Sequence, residues 1–549
     1  MRVESLLFPF LAGWGASFGV GRMLRALLRP SRRRPDPRLL LLLLLAFALR
    51  AGSLTAQPLW RDEVDALRFG RDLSTEIAEA FQRGGAAGWE RLAALLTRPG
   101  FNGPLYFIGL FQWVRFAGDS EFALRFPSLW FGVLSVALGF ALFRRYLPPA
   151  AARLTAWFFA IAPFLVWYGQ EAKMYALLVF LFLAAWGAQE AARRDPLGWL
   201  EAFLWLLLGL YSHVLFALFL PAFLALALIR RGWPWKALAG MAVGGLLLLM
   251  ADLPLLRWQI GQVLQWDGGV RPVCGETGFP RVAPLEGLGM LAWGAAVGVW
   301  GGFPDWGFLP LSGWMALGIL AGRASRRARG ALALWALSPW AFLSLLSLCR
   351  PLFVERYLIA SMPAGFALAA AGWARIPGRL GRALALAPVL APMVMGLWAQ
   401  AAMPIKSDFR SAARVVAAYY QPGELILFHI GYVQHVFDYY FRQPYEGAWA
   451  PATHFRTPEG TYRLGEAEIA AQMAALTHGR RAVWLIYSEA PMWDDRDLVR
   501  RWLDAHYRLA GRWAFQLVEV RRYELPKDDL AVPSPSANFD HYFDRKNPL

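Results

Sequence analysis

The sequence predicts a polytopic α-helical membrane protein with a small C-terminal α/β domain, and three observations lead to this fold class. Of the 549 residues, 57% are hydrophobic and only 17% are charged, whereas soluble domains carry about 25% charged residues. Apolar runs long enough to cross a bilayer recur between residues 38 and 402. From residue 403 onward the composition is instead that of a soluble domain.

The same composition excludes several classes of protein. Intrinsic disorder requires low hydrophobicity and high charge, which is the reverse of what is found. Cys274 and Cys349 are the only cysteines, so disulfide scaffolds, zinc fingers and iron–sulfur proteins lack their ligands. The sequence leaves open whether these two cysteines pair.

The positive charge lies in short stretches between the apolar runs. The formal net charge is +17, and six Arg-rich stretches hold 22 of the 56 Lys and Arg with only two acids, Asp36 and Asp195. Basic loops beside apolar spans mark the cytoplasmic side of a membrane protein, and this argues against a nucleic-acid partner. We therefore expect a cytoplasmic N-terminus and an extracytoplasmic C-terminus. The six stretches are residues 22–38, 144–153, 193–196, 230–236, 323–329 and 374–382.

Eleven apolar runs approach the roughly 20 residues that a membrane-spanning helix needs. Two further runs, residues 104–117 and 284–301, would break the alternation of sides, so we expect them to be juxtamembrane helices in the outer leaflet. Residues 5–20 predict an interfacial helix on the cytoplasmic side. The eleven predicted spans are residues 38–56, 126–143, 153–168, 176–192, 197–212, 213–229, 236–256, 306–322, 330–349, 357–373 and 383–402.

Composition divides the chain into three parts. Residues 1–37 form a cytoplasmic N-terminal segment, and residues 38–402 form the transmembrane domain, whose first extracytoplasmic loop is 57–125. Residues 403–549 form an extracytoplasmic domain with a loose tail. In that domain, DFRSAARVVAAYY and DDRDLVRRWLDAHY have helical periodicity, whereas ELILFHI, AVWLIYS and FQLVEVRRYEL predict strands. This alternation predicts a small layered sheet.

Acids beside membrane spans are costly unless they are paired or used, and the first such acids follow span 1. Asp62 and Glu63 stand in PLWRDEVDALRFG. Adjacent residues cannot share one face of a helix, so one acid could point toward the bilayer while the other holds the loop. The alternative interpretation is a polar cap at the outer end of a span.

A second polar group interrupts apolar sequence in APFLVWYGQEAKMYALL. Gln170, Glu171, Lys173 and Tyr175 lie within a few residues of one another, and Glu171 and Tyr175 have the spacing of one helix face. An ordinary hairpin turn is the alternative, but such turns favour Gly, Pro, Asn and Asp. We therefore favour a functional role.

A third group lies in LCRPLFVERYLIASMPAG, at the start of span 10. Arg350, Glu355 and Arg356 fall on the outer side, where positive charge is disfavoured. The planar guanidinium of Arg356 suits a lipid phosphate. The alternative is an internal ion pair of Arg356 with Glu355 or with Asp252.

Weaker candidates are isolated polar residues near span ends and in the tail. His213 in YSHV and Asn102 in GFNGPLYF are candidates for substrate binding. The His429–His435 spacing matches no metal pattern, and we expect both residues at the surface.

At these motifs the sequence resembles a bacterial member of glycosyltransferase family 39, the dolichyl-phosphate-mannose protein mannosyltransferase-like group of GT-C fold membrane enzymes. The resemblance covers roughly residues 38–400. The stretches PLYF and GDSEFALRFPS resemble the family's sequence after its first loop. The stretch WYGQEAKMYAL is similar to the family's WYSQEARMYAL, with Gly169 for Ser and Lys173 for Arg, and FVERYLIASMPA is similar to its RYLLPALP-type span start.

The resemblance implies a polyprenyl-phosphate sugar donor, inverting transfer and an active site on the outer face of the bacterial inner membrane. Asp62 would be the general base. Glu63 and Glu171 would be further catalytic-site residues, with Glu63 steadying the loop and Glu171 orienting Lys173 or the acceptor. Lys173, Arg350, Arg356 and Tyr357 would bind the donor phosphate. Substrate binding would involve Asn102, Gln170, Tyr175 and His213.

Cofactors and partners are less narrowly defined. The sequence leaves the cofactor open: none is certain, and Asp62, Glu63 and Glu171 could together hold Mg²⁺ or Mn²⁺. The acceptor could be a glycan, a lipid or a protein. A flippase or transporter of lipid-linked sugars, a glycan ligase or polymerase, and a structural anchor for the α/β domain are the alternatives. A transporter would favour charges near the bilayer midplane and repeated helices, and the sequence has few of the former and no visible repeat.

Overall fold

The computed structural model describes residues 37–97, 102–227, 235–264, 280–454, 461–489 and 494–526. Contacts divide the chain into two units, one of Met1–Leu54 with Phe69–Ala402 and one of Thr55–Arg68 with Met403–Leu549. The predicted interfacial helix at 5–20, Cys274 and the tail from residue 527 lie outside the described residues. Cys349 is disulfide-bonded.

Up to residue 402 the regular structure of the described ranges is helical, and each predicted span coincides with one helix or with two consecutive helices. Three 3₁₀ helices are present in these ranges, and each leads directly into an α-helix: Val214–Phe219, Asp305–Phe308 and Glu355–Ser361. The α-helices are α1 (Pro37–Ala51), α2 (Arg61–Arg83), α3 (Gly85–Thr97), α4 (Pro104–Ala117), α5 (Glu121–Phe143), α6 (Pro149–Ile161), α7 (Pro163–Tyr168), α8 (Tyr175–Ala191), α9 (Leu197–Leu210), α10 (Leu220–Ala227), α11 (Trp235–Leu264), α12 (Pro284–Ala296), α13 (Leu309–Ala321), α14 (Arg326–Cys349), α15 (Met362–Trp373) and α16 (Arg379–Ala402).

The apolar helices carry the surface expected of a membrane protein. Within the described ranges, α5, α14 and α16 are long and apolar enough to cross a bilayer. Large apolar side chains on α14 and α16, among them Leu345, Leu348 and Trp398, are exposed, whereas soluble proteins rarely expose contiguous apolar patches. The total of eleven spans stays a prediction, as does the outer-leaflet position of α4 and α12.

Proline determines where several helices begin. Pro149, Pro163 and Pro284 occupy the first turn of α6, α7 and α12, where a missing N–H costs nothing and the fixed φ suits a helix. Pro163 also separates α6 from α7, because proline in a helix interior removes a backbone hydrogen bond. The predicted span 153–168 is therefore built from two short helices.

The segment from α7 to α8 is the most enclosed part of the helical unit. Residues 162–190 are all buried, including the non-helical turn 169–174 that joins the two helices. A helix that is hydrophobic on every side is stable only when it is surrounded by protein or lipid. The predicted polar turn is therefore enclosed by protein, and its charged side chains do not project into solvent.

The second unit contains a five-stranded sheet in the order β2-β1-β3-β5-β4. Strands β2, β1 and β3 are parallel, while β5 runs antiparallel to both β3 and β4. Its strands are β1 (Leu425–His429), β2 (Glu446–Trp449), β3 (Ala482–Ser488), β4 (Arg508–Phe515) and β5 (Val518–Glu524). In the described ranges after residue 402, the α-helices of this unit are α17 (Phe409–Tyr419), α18 (Gln434–Tyr440), α19 (Glu466–Thr477) and α20 (Leu498–His506), and Gly431–Val433 forms a 3₁₀ helix.

The centre of this sheet is apolar on both faces. Leu427 of β1 and Leu485 of β3 are fully buried against Met473 and Val499 from α19 and α20. The predicted surface position of His429 is wrong, because this residue ends β1 between β2 and β3 and is only 2% exposed. The carboxyl ends of β1 and β3 meet at one edge, where His429 pairs in register with Tyr487.

Candidate functional site

The buried turn between α7 and α8 is anchored by Gln170. The side-chain amide of Gln170 donates hydrogen bonds to the carbonyl of Arg50, at 2.8 Å, and to Oγ of Ser53, at 2.7 Å. Arg50 in turn donates to the carbonyls of Phe159 and Ala160. The amide group thereby ties the turn to the end of α1. We therefore interpret Gln170 as a residue that positions the turn.

Glu171 lies in this turn and is 1% exposed. It does not share a helix face with Tyr175, as its spacing had predicted, because α8 begins at Tyr175. Glu171 and Tyr175 nevertheless both interact with one side chain, that of Tyr168. Tyr168 interacts electrostatically with Glu171, Glu355 and Arg356, and its ring centroid is 5.0 Å from that of Tyr175. The motifs around residues 171 and 356 therefore meet at Tyr168.

Lys173 is a nearly buried cation, with 5% of its surface exposed. Its carbonyl accepts a hydrogen bond from Ser128 Oγ at 3.0 Å, and that hydroxyl lies 2.9 Å from Tyr106 OH. Its ammonium lies 5.6 Å from the ring centroid of Phe107. No carboxylate of the described residues is within ion-pair distance of this ammonium. Because a buried charge without a counter-ion is costly, this arrangement favours an anionic ligand.

Two tyrosines contact Arg356. Its Nε donates a hydrogen bond to Tyr175 OH at 3.0 Å, and its Cζ lies 5.7 Å from the ring centroid of Tyr357. All of residues 355–361 form one 3₁₀ helix, so Glu355 and Tyr357 flank Arg356 directly. The orientation of the guanidinium therefore depends on α8. The side chain of Asp252, its alternative partner, lies outside the described residues.

His213 packs against Tyr357, the neighbour of Arg356. Its Nδ1 accepts a hydrogen bond from the backbone N–H of Leu215 at 3.1 Å, and its ring centroid is 5.0 Å from that of Tyr357. Lys173 and Arg356 both act on this ring electrostatically. The backbone of His213 also forms a β-bridge with Asn102. The structure therefore brings Asn102, Lys173, Tyr175, His213, Arg356 and Tyr357 into one group.

A cavity of about 440 Å³ is lined in part by Glu355, the residue that precedes Arg356. Phe164, Trp293 and Phe308 provide its largely apolar lining, to which Asp305 and Glu355 add two carboxylates. Sequence reasoning missed this cavity, because its lining comes from elements separated by almost two hundred residues.

Arg350, which was also predicted to bind the donor phosphate, lies directly after α14 and is buried.

The predicted acids Asp62 and Glu63 belong to the second unit, and the boundary between the two units falls within α2 after Arg68. Glu63 is fully buried, and its Oε2 accepts a hydrogen bond from Lys406 Nζ at 2.9 Å. Asp62 is half-buried, and its Oδ1 lies 3.7 Å from Nη2 of Arg61. Glu63 thus holds the loop, whereas Asp62 stands at the first turn of α2. Lys406, one of only five lysines in the chain, was missed in the sequence.

These acids fit a divalent metal poorly. The Glu63 carboxylate is already neutralised by Lys406 and also lies 3.4 Å from the backbone N–H of Trp60. Within the described ranges, no group of three His, Cys, Asp or Glu side chains is placed to hold a metal ion. We therefore assign no step of the chemistry to a metal.

Comparison with known proteins supports the sequence resemblance. Residues 103–258 match the family model described as dolichyl-phosphate-mannose-protein mannosyltransferase. This range includes the turn 169–174 and His213, but it excludes both Asp62 and Arg356. No curated protein matches the chain.

Solved structures show the same fold over nearly the whole chain. ArnT from Cupriavidus metallidurans bound to undecaprenyl phosphate is 14% identical, with a TM-score of 0.56, and the match covers 91% of this chain and 100% of that one. The apo form of the same protein is 15% identical, also with a TM-score of 0.56, and the match covers 90% and 98%. The predicted GT-C fold is thereby confirmed.

Proposed function

We propose that this protein is an inverting glycosyltransferase that moves a sugar from a polyprenyl-phosphate donor to an acceptor hydroxyl on the extracytoplasmic side of the bacterial inner membrane. The observation that carries the proposal is Lys173, a nearly buried ammonium that acts on His213 together with Arg356 and has no carboxylate of the described residues at ion-pair distance. The match to the family model and the fold shared with an undecaprenyl-phosphate-bound protein support the same class of donor.

The donor phosphate would be bound by cations held at fixed positions. Lys173 contributes a compact charge, and the planar guanidinium of Arg356 can form two parallel hydrogen bonds to phosphate oxygens. Tyr175 orients that guanidinium through its 3.0 Å hydrogen bond. As the bond between the anomeric carbon and the phosphate oxygen breaks, negative charge grows on the departing polyprenyl phosphate. Preorganised cations stabilise this charge without reorganisation.

The acceptor hydroxyl would attack the anomeric carbon and lose its proton to Asp62. Inverting transfer needs one carboxylate base on the face opposite the leaving group. Of the adjacent acids, Glu63 is neutralised by Lys406 and fully buried, which leaves Asp62 for the reacting hydroxyl. The proposal requires Asp62 to reach that face of the bound sugar. Glu171 would then orient the acceptor.

The isoprenoid part of the donor needs an apolar surface. The 440 Å³ cavity next to Glu355 has such a lining, with Phe164, Trp293 and Phe308 on its walls. Lipid chains bind through buried apolar area at about 0.8 kcal/mol per CH₂ group. We propose that the first isoprene units beside the phosphate bind there.

A donor panel tests the proposal. The purified chain in nanodiscs is incubated with a set of polyprenyl-phosphate sugars, with and without soluble acceptors, and free polyprenyl phosphate is measured. We expect release from at least one donor and loss of that release in Lys173→Met. Lys236→Met is the matched control, because Lys236 Nζ also lies near a single aromatic ring, 5.9 Å from Trp235.

The product distinguishes the proposal from its alternatives. We expect the anomeric configuration of the transferred sugar, read by NMR, to be opposite to that of the donor. Movement of intact donor across vesicles without release of polyprenyl phosphate would instead identify a flippase and overturn the proposal.

A further inference from the structure

The carboxyl edge of the parallel strands in the second unit carries a group of side chains that the proposed chemistry does not use. Tyr432 follows β1, and Glu489 directly follows β3. Neighbouring parallel strands bring their carboxyl ends to one edge, and open α/β sheets bind ligands in the crevice outside that edge. We call Arg61, Tyr432 and Glu489 the edge group.

The edge group is joined by direct contacts. The hydroxyl of Tyr432 donates a hydrogen bond to the Glu489 carboxylate. The guanidinium carbon of Arg61 lies 4.2 Å from the ring centroid of Tyr432. Arg61 also interacts electrostatically with Glu489 and with its sequence neighbour Asp62. The edge group therefore stands beside Asp62 within the same unit.

Two features of the backbone and burial at the carboxyl ends of β1 and β3 are uncommon. Glu489 has a φ of 55°, a left-handed conformation that side chains other than Asn, Asp and His seldom adopt. His429, whose ring centroid is 5.3 Å from that of Tyr487, is buried, and its Nδ1 has no hydrogen-bond partner among the described residues. Buried polar atoms normally find a partner in protein, water or ligand. The three residues of the edge group itself are each partly exposed.

The chemistry of the edge group defines the ligand that it can recognise. A tyrosine ring offers an apolar face, a carboxylate accepts hydrogen bonds from hydroxyls, and a guanidinium donates to them. Three carboxylates (Asp62, Asp65 and Glu489) surround Arg61, and they disfavour an anionic ligand. A neutral polyhydroxylated molecule, such as an oligosaccharide, satisfies all of these groups.

We propose that Arg61, Tyr432 and Glu489 form the acceptor subsite, and that the acceptor is a neutral glycan whose reacting hydroxyl is thereby presented to Asp62. The inference rests on the proposed function for the role of Asp62. It goes further in assigning the acceptor class and the residues that bind it.

Binding is tested on the full chain in nanodiscs. The probes are immobilised mannan, galactan and arabinan oligosaccharides, with polygalacturonate as the anionic comparison. We expect Tyr432→Ala and Glu489→Gln to weaken binding of a neutral oligosaccharide by about tenfold, since each removes a direct contact. Tyr432→Phe keeps the ring and should retain most of the binding, which guards against a folding defect in the alanine variant.

The same domain offers a matched control. Arg496 lies 3.7 Å from the ring centroid of Tyr462, whose hydroxyl donates to Asp495. This trio also consists of an arginine, a tyrosine and a carboxylate, here Asp in place of Glu, but its arginine is not the sequence neighbour of Asp62. Tyr462→Ala and Asp495→Asn should leave glycan binding within about twofold of the unsubstituted protein.

Transfer kinetics separate this inference from the proposed function. With a donor that the protein cleaves, Tyr432→Ala should raise KM for the acceptor about tenfold with little change in donor KM. Unchanged acceptor KM, equal effects of the control variants, or preference for polygalacturonate would each overturn the inference and leave the transferase intact. Glycan binding that depends on Tyr432, without release of polyprenyl phosphate from any donor, would instead overturn the transferase and retain the subsite.

Discussion

Glu63 and Lys406 form a buried ion pair across 343 residues of sequence, with 2.9 Å between Oε2 and Nζ. Glu63 is wholly inaccessible to solvent, and the Lys406 side chain is 6% exposed. Lys406 also lies 5.7 Å from the ring centroid of Trp60. The pair therefore fastens the start of α2 to the segment that leads into the C-terminal sheet. Asp62, the next residue toward the N-terminus, lies in the same first turn of α2.

Removing one partner of this pair should destabilise the second unit strongly. Lys406→Met leaves a buried carboxylate without a counter-ion, which costs about 3–5 kcal/mol. For a unit of this size we expect the thermal midpoint, followed by tryptophan fluorescence, to fall by about 10 °C. Arg508→Met is the control, because the Arg508–Glu524 pair is exposed and such pairs contribute about 0–1 kcal/mol. A similar fall in both variants would contradict this account.

Asp62→Asn should abolish sugar transfer while leaving donor binding and the thermal midpoint nearly unchanged. The amide cannot accept the proton of the acceptor hydroxyl, and loss of a general base lowers kcat by about 10²–10⁴-fold. The measurement is single-turnover transfer with pre-bound donor. Asp65→Asn is the matched control, since Asp65 lies on the same helix and also faces Arg61, at 3.9 Å. Normal turnover by Asp62→Asn would rule this residue out as the base.

Arg356→Ala should mainly weaken binding of the donor. A charge-assisted contact to phosphate contributes about 1.5–3 kcal/mol, which corresponds to a rise in donor Kd of roughly 10–150-fold. Tyr175→Phe removes only the hydroxyl that orients Arg356 and should raise Kd by about 2–10-fold. Affinity is measured with polyprenyl phosphate in nanodiscs.

Arg382→Ala is the matched control for Arg356. Arg382 has a comparable setting, with Nε donating to the Gly378 carbonyl at 3.1 Å and Cζ 5.7 Å from the Trp373 ring centroid. It lies in a predicted cytoplasmic stretch, and its replacement should leave donor affinity unchanged. Unaltered affinity in Arg356→Ala would remove the phosphate role.

The second unit should lose stability as the pH falls from about 6.5 to about 4, in part because of His435. Burial, with a smaller contribution from Arg68, lowers the pKa of His435 to about 4, whereas the unfolded chain has a histidine pKa near 6.5. Between these values the unfolded state binds more protons than the folded state. The contribution of His435 to the free energy of unfolding is therefore fully present above pH 6.5 and declines below it. Allowing for screening at this partly exposed ring, we expect a loss of about 1–2 kcal/mol.

His435→Gln should flatten that dependence. The difference in thermal midpoint between pH 7 and pH 4.5 should shrink relative to the unsubstituted protein, because glutamine does not titrate. His506→Gln, at an exposed position, provides the comparison and should leave the difference unchanged. If all three proteins showed the same difference in thermal midpoint between pH 7 and pH 4.5, His435 would not contribute to the pH dependence of stability.

Local sequence pattern predicted the elements that bury a continuous apolar run. β1, β3 and β5 and helices α17 and α20 coincide with predicted segments, and α1 coincides with a predicted span. β2 and β4 were not predicted, because they are the outermost strands of the sheet and their residues are mostly exposed or half-buried. Such strands gain their hydrogen bonds from a neighbour and carry no buried run of their own.

The candidate residues were identified in the sequence by chemical type, but their surroundings were not. Asp62 and Glu63 are indistinguishable in sequence, and only Lys406 shows that Glu63 holds the loop. The motifs at 171–175 and 355–357 were proposed separately, and Tyr168 and Tyr175 show that they form one group. His429 was expected at the surface, but the neighbours of β1 enclose it.

The amino-acid sequence by itself determined the class of protein, the positions of the apolar helices and the chemical types available at the site. These properties depend on composition and on periodicity over fewer than about twenty-five neighbouring residues, which the chain expresses locally. The tertiary structure alone decided which charges meet, that Glu63 is paired, that Lys173 is enclosed and that Tyr432 joins Glu489 and Arg61. Contacts between residues hundreds of positions apart arise from packing, and no local pattern encodes them.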